Sequence, residues 1–305
     1  MRLAAASAWL ALGVGAGCPA VEALAPGAEA SAEEAAAATL SARGIAEPRC
    51  NGFDDGRFPS GLFVYSVRTS NAVSGSVDPP TEERIVLRGI AAFCIDGDTV
   101  TGSAIVCELA RTRLPEPDGT CSSLVPSLAL LAGLPAANLA GERAPNDPEG
   151  LVQLVYSQSW GLEPGAPVPP EPKAGEEPAV SPIDGEGPLP TGLVDTDADG
   201  DPGVTLHPNV STDRTVFAAR TFEARITLGG SDQGVALGPA NVRTQEVVLG
   251  GYSSAPFVGR VRADSTEADA HFVSVLDPNR DGVLTCLEGV RRFNALPQLL
   301  ADACE

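Results

Sequence analysis

The chain has 305 residues, 40 of them acidic and 20 basic, for a formal charge of −20 at pH 7. That balance excludes nucleic-acid binding, which needs a basic surface to meet phosphates, and it suits a chain that meets cations and stays soluble outside the cell. An apolar content of 43% is enough for a core, in one large or two small domains.

Arg2, the apolar run Leu3–Val14 and the small residues after it read as a signal peptide over 1–23, too short to span a membrane. Two processing routes stay open. GVGAGC, ending at Cys18, resembles a bacterial lipobox, although Gly15 stands where such motifs carry Leu; the resemblance implies lipidation of Cys18 and membrane contact only through that anchor. Val21-Glu22-Ala23 fits simple cleavage instead. On either route the chain is expected to be exported, outer-membrane-anchored or extracellular/periplasmic in a bacterium. Residues 24–48 are Ala/Glu/Pro-rich and read as a flexible tether. An Ala-rich helix could form over 29–39, with no second apolar element nearby to pack on.

The folded part reads as mainly β. Residues 61–70, 83–95, 99–109 and 151–160 carry β-branched and aromatic residues, with Asp96-Gly97 as a hairpin turn between the second and third. SLALLAGLPAANLAG (127–141) is the best helix candidate among them, broken at Pro135. Residues 49–160 thus form the first half of a β-rich domain. Nine prolines in 161–192 make 161–194 a loop or linker. The second half, 195–264, holds strands over 202–208, 214–228, 234–238, 242–253 and 257–264, punctuated by Gly229-Gly230 and Gly250-Gly251. Many short strands without alternating long helices predict an antiparallel barrel or sandwich. A C-terminal segment, 265–305, adds a short helix behind a loop.

That loop, DPNRDGVLTCLE (277–288), resembles an EF-hand calcium loop. Asp277, Asn279 and Asp281 alternate, Gly282 supplies the turn, Val283 offers its carbonyl, Thr285 holds the ninth position and Glu288 closes the segment. Calcium takes six to eight hard oxygen ligands, which is why oxygen-bearing side chains recur at every second residue. Leu284, Leu287, Val290 and Phe293 follow at helical spacing, and Gly289 stands where an apolar residue is usual. Upstream, HFVSVL (271–276) fits either a helix or a strand. A second loop, DTDADGD (195–201), repeats the alternation with Asp195, Asp197, Asp199 and Asp201, but its twelfth position is Leu206, so a closing carboxylate is missing. It looks like the DxDxDG calcium loops of extracellular repeat proteins and is expected to bind more weakly than the first. Ca2+ is the cofactor both loops imply.

Setting Cys18 aside leaves Cys50, Cys94, Cys107, Cys121, Cys286 and Cys304, an even set that reads as disulfides. Zinc is disfavoured because no two cysteines are spaced C-x2-C and the histidines number only two, His207 and His271. The simplest pairing joins Cys286 to Cys304 and leaves the other four to pair among themselves. No nucleophile elbow, zinc-protease motif or phosphate loop is present, so the chain does not read as an enzyme. A lone histidine such as His271 is more often structural than catalytic.

The lax lipobox, the Ala/Pro/Gly bias and the segment DTDADGDPGVTL together resemble surface lipoproteins of myxobacterial type with a DxDxDGxPGVT loop. The resemblance implies a surface location and a β fold. Two functional expectations follow. In the first, calcium staples an exported surface lipoprotein whose role is structural or partner-binding, the partner being a surface protein or polysaccharide. In the second, the barrel carries a small apolar ligand inside, near Trp160 and Tyr156, as eight-stranded barrels can.

Overall fold

The computed structural model describes residues 26–50, 60–73, 81–114, 122–143, 151–170, 192–201, 203–208, 215–230, 234–252 and 260–295. The signal segment with Cys18, and Cys121 and Cys304, lie outside the described residues. Helix α1 (Pro26–Ala42) and strand β1 (Gly44–Ala46) precede three long strands, β2 (Gly61–Val73), β3 (Thr81–Asp96) and β4 (Thr99–Leu114). Next come β5 (Ser122–Pro126), α2 (Leu128–Gly133), β6 (Ala137–Arg143) and β7 (Val152–Trp160). The second half supplies β8 (Val204–Pro208), β9 (Thr215–Gly230), β10 (Val235–Tyr252) and β11 (Arg260–Ser274), then β12 (Val283–Thr285) and α3 (Cys286–Phe293).

The long strands close an eight-stranded antiparallel barrel in the order β2-β3-β4-β6-β7-β9-β10-β11. Of the two architectures the sequence allows, the barrel is the one formed. Closure leaves no free edge around the ring. The wall between β4 and β9 changes strands partway along. Thr99–Ala104 of β4 pairs with β6, and Val152–Trp160 of β7 pairs with Arg220–Leu228 of β9. Towards the other end β5 takes Thr112 and Arg113 of β4, and β8 takes Phe217 of β9 with its neighbours. Helix α2 lies between these strand pairs in the chain, and its buried Leu130 and the following Leu134 join the core. Ser127 caps it by accepting the Leu130 N–H at 3.0 Å.

Strand β7 shows why these residues make a barrel wall. Val152, Leu154, Tyr156, Gln158 and Trp160 are buried, while the residues between them are not. Strand β2 behaves differently, since Leu62 to Val67 are buried without interruption. Its inner face lines the barrel, and its outer face lies beneath α3, where a Cβ on Gly289 would come 3.9 Å from Val64 and 2.7 Å from Ile90. The same contact explains a glycine inside α3: a larger residue would push the helix off the wall.

Aromatic rings fill the interior. Phe63 stacks on Phe93 at 4.1 Å and Tyr65 on Phe272 at 5.4 Å. Tyr65 and Tyr156 come from strands on opposite sides of the ring and bring their hydroxyls within 3.4 Å. Tyr156 also donates to Gln158 Oε1 at 2.7 Å. Eight strands leave room for side chains to fill the bore, and here they meet across the axis. Further along, Arg220 and Glu246 form a buried ion pair at 3.2 Å, with the guanidinium 5.1 Å from the Trp160 ring.

Three sequence expectations need correction. The helix predicted over 127–141 stops at Gly133, and Ala137–Arg143 is strand β6, because inward-facing Ala137 and Leu139 alternate with exposed Asn138 and Ala140 after the break at Pro135. The tether predicted over 24–48 contains α1 and β1. Its anchor is long-range: Arg43 donates to the carbonyls of Leu131 and Leu134 at the end of α2, and β1 pairs with β12. The pairing of Cys286 with Cys304 is overturned, because Cys286 bonds to Cys107 on β4, 179 residues away. Cys286 opens α3 on the face turned to the wall, so distance in space, not in sequence, selects its partner. Cys50 pairs with Cys94. Two such bonds suggest an oxidising, extracellular or periplasmic setting. No described helix is long and apolar enough to cross a membrane.

Candidate metal centre

Three carboxylates converge in the loop before β8. Asp195, Asp197 and Asp199 each offer an oxygen, and these oxygens lie within 4.8 Å of one another; among the described residues this is the one such group of acidic, His or Cys side chains. Asx turns fold the loop. Asp195 accepts from the backbone of Asp199 at 3.3 Å and of Gly200 at 3.0 Å, and Asp199 Oδ1 accepts from Asp201 N–H at 2.9 Å. Ala198 (φ 56°) and Gly200 (φ 92°) take left-handed backbone to make the bend.

The loop is fixed at its base by residues that spacing rules do not single out. Thr196 donates its N–H to the Gly203 carbonyl at 3.0 Å, Gly203 N–H returns to Val194 at 3.1 Å, and Thr196 Oγ1 accepts from Gly161 N–H at 2.9 Å. Gly161 and Gly203 touch so closely that a Cβ on the first would lie 2.5 Å from the Cα of the second. Thr205 takes the place of a closing side chain: its N–H donates to Asp197 Oδ2 at 2.8 Å, and its hydroxyl bonds Asp199 Oδ2. The signal available in the sequence was the threonine of PGVT, just past the glycine that returns the chain to the sheet.

Asp197 is the unusual member. Its side chain is 5% exposed, and Oδ1 is buried with no hydrogen-bond partner. Buried polar atoms are nearly always paired, so an orphan carboxylate oxygen asks for a proton or a cation. Burial pushes its pKa up to about 7; the neighbouring Asp199 and Asp195 charges push the same way, and the Thr205 N–H opposes them. Asp201 stands outside the three-oxygen group. The donor set is all oxygen, the chemistry of hard divalent cations.

The loop at 277–288 is arranged differently. It runs from strand β11 through β12 into α3, a strand–loop–helix. Asp277 accepts from Asn279 N–H at 3.1 Å and Gly282 N–H at 2.6 Å; Asn279 accepts from Asp281 N–H at 2.9 Å, and Asp281 from Val283 N–H at 2.8 Å. Desolvation works to raise the Asp277 pKa, but the N–H groups of Gly282, Asn279, Arg280 and Asp281 outweigh it and hold the carboxyl below its usual range. Glu288 is turned into a capping box: its carboxylate accepts from Thr285 N–H at 2.9 Å and Oγ1 at 2.7 Å, and its own N–H returns to Thr285 Oγ1 at 3.3 Å. Leu284 is fully buried opposite Ile45. Elsewhere, His271 pairs with Asp269 at 3.0 Å on the outside of β11, and the histidine's hydrogen bond holds the Asp269 pKa below its usual value.

No family model matches the chain, and no curated protein resembles it.

Proposed function

We propose that the protein is an exported calcium-binding β-barrel of the cell surface, anchored through Cys18, in which calcium acts as a staple and the barrel serves a structural or partner-binding role. One observation carries the metal reading: a buried carboxylate oxygen of Asp197 without a partner, beside two further carboxylates. Calcium supplies the missing charge there and relieves the repulsion among the three acids. In this reading the 277–288 loop is a second site, reached when Glu288 swings from its cap to the cation. Sites on extracellular modules bind calcium at about 10⁻⁴–10⁻³ M and stay filled outside the cell, which makes them staples more than switches. The two disulfides and the formal charge of −20 support that setting, and the signal peptide read over 1–23 is part of the same proposal. Rings meeting across the bore weigh against an apolar cargo.

Calorimetric calcium titration of the purified protein, with melting followed in calcium and in chelator, tests the proposal. For a Kd in that range, 10 mM calcium stabilises by about 1.4–2.7 kcal/mol. In a chain of this size that is a rise of roughly 3–10 °C. No heat of binding and no rise would defeat the metal reading.

A further inference from the structure

Beside the acidic loop, a cleft of about 540 Å³ opens on the outer face of the barrel. Its floor is two rows of outward-facing side chains across β7, β9 and β10. One row is Ser159, Thr221 and Gln245, and the next is Ser157, Glu223 and Arg243. Pro164–Ala166 forms one wall and Pro135–Ala136 the other.

Both walls are tied to the segment that carries the metal ligands. On one side Glu163 N–H bonds the Gly192 carbonyl at 2.9 Å, Val194 N–H bonds the Gly161 carbonyl at 3.1 Å, and Gly161 N–H bonds Thr196 Oγ1. On the other side Gly133, two residues before Pro135, lies against the Thr196 carbonyl, where a Cβ would come within 1.9 Å. Thr196 stands between Asp195 and Asp197 in the chain, so an ion that orders those two carboxylates orders both walls.

We infer that this cleft binds a neutral, polyhydroxylated ligand, a saccharide chain, and that the metal loop sets its shape through Thr196. The second half of this inference rests on the metal reading above; the first does not. The floor holds hydroxyls and an amide, groups that both donate and accept, as sugar hydroxyls do. Its single acid, Glu223, is paired with Arg225 at 3.1 Å, and its single base, Arg243, is itself engaged, so the floor offers no free charge to select an ionic ligand. An added peptide strand needs a free sheet edge, whereas this floor is the face of a closed wall. An apolar ligand needs apolar and aromatic lining throughout; here the walls Pro135, Ala136, Pro164 and Ala166 are apolar but the floor's side chains are polar, a mix that suits the C–H faces and hydroxyls of a sugar.

The test displays the mature protein to an array of neutral oligosaccharides, sulfated oligosaccharides and unstructured peptides, in calcium and in excess chelator. Ser157→Trp, which fills the cleft from an exposed position, is the control, with its melting followed in parallel. The expected result is retention of neutral oligosaccharides in calcium, weakened about tenfold by chelator, a coupling of ordinary size. Ser157→Trp should lose that retention while calcium still raises its melting temperature. Retention of sulfated sugars or peptides in place of neutral ones, retention by Ser157→Trp, or no retention by a calcium-loaded protein would each overturn the saccharide site. Chelator-insensitive retention in a protein that calcium does stabilise overturns the link through Thr196. The same retention in a protein that calcium leaves untouched defeats the metal reading and leaves the saccharide site standing.

Discussion

Asp197→Asn should stabilise the metal-free protein and remove the part of its calcium response that comes from the 195–199 loop. In the wild type the folded-state pKa is raised from 3.8 to about 7. The sign follows from linkage: the folded state holds this proton more tightly, so its contribution is complete at low pH and is lost as pH rises from about 4 through about 7. A shift of roughly three units corresponds to a ceiling of about 4 kcal/mol at pH 8. Asparagine carries no charge and keeps an oxygen for the Thr205 N–H, so it escapes that loss. Its buried amide still has a polar atom to satisfy, at a cost of about 1–3 kcal/mol. The net gain expected at pH 8 in chelator is therefore about 1–3 kcal/mol, or roughly 2–12 °C in melting temperature. At pH 5 most of the gain should vanish. Scanning calorimetry at the two pH values, with and without calcium, reads all four states. A variant less stable than wild type at pH 8 in chelator, or one that gains as much from calcium as wild type does, would refute the account of Asp197.

Glu288→Gln should leave melting in chelator nearly unchanged, because glutamine also serves in a capping box; titration should show weaker calcium binding at 277–288, and unchanged affinity would mean that loop holds no ion. Replacing Cys107 and Cys286 together by serine frees a loop of 179 residues and should cost up to about 5 kcal/mol by loop entropy. Denaturant melts would measure it, and a midpoint shift below 1 kcal/mol would show that α3 stays on the wall without the bond. Glu246→Ala should destabilise by about 3–5 kcal/mol by breaking the buried pair with Arg220. A cost near zero in the same melts would mean that Arg220 finds compensation within the barrel.

What the sequence determined by itself is what depends on neighbours in the chain. Alternating side chains made β7 and β9 readable as strands, Asp96-Gly97 marked the β3–β4 turn where Gly97 takes φ 60°, and alternate aspartates gave both acidic loops their Asx turns. Spacing also ranked the loops, and there it ran out. The 277–288 loop has the fuller set of ligands, yet its Glu288 is spent on a helix cap that local spacing permits equally well. At 195–199 the closing carboxylate is absent, but Thr205, just past the loop, bonds Asp197 and Asp199, and Gly161, 35 residues before Thr196, holds the residue between Asp195 and Asp197. The same limit governs Cys286, whose partner lies 179 residues away, and the choice of barrel over sandwich, which rests on β9 meeting β10 while β4 meets β6. Burial, convergence and closure are properties of pairs distant in sequence, and only the tertiary structure brings those pairs together.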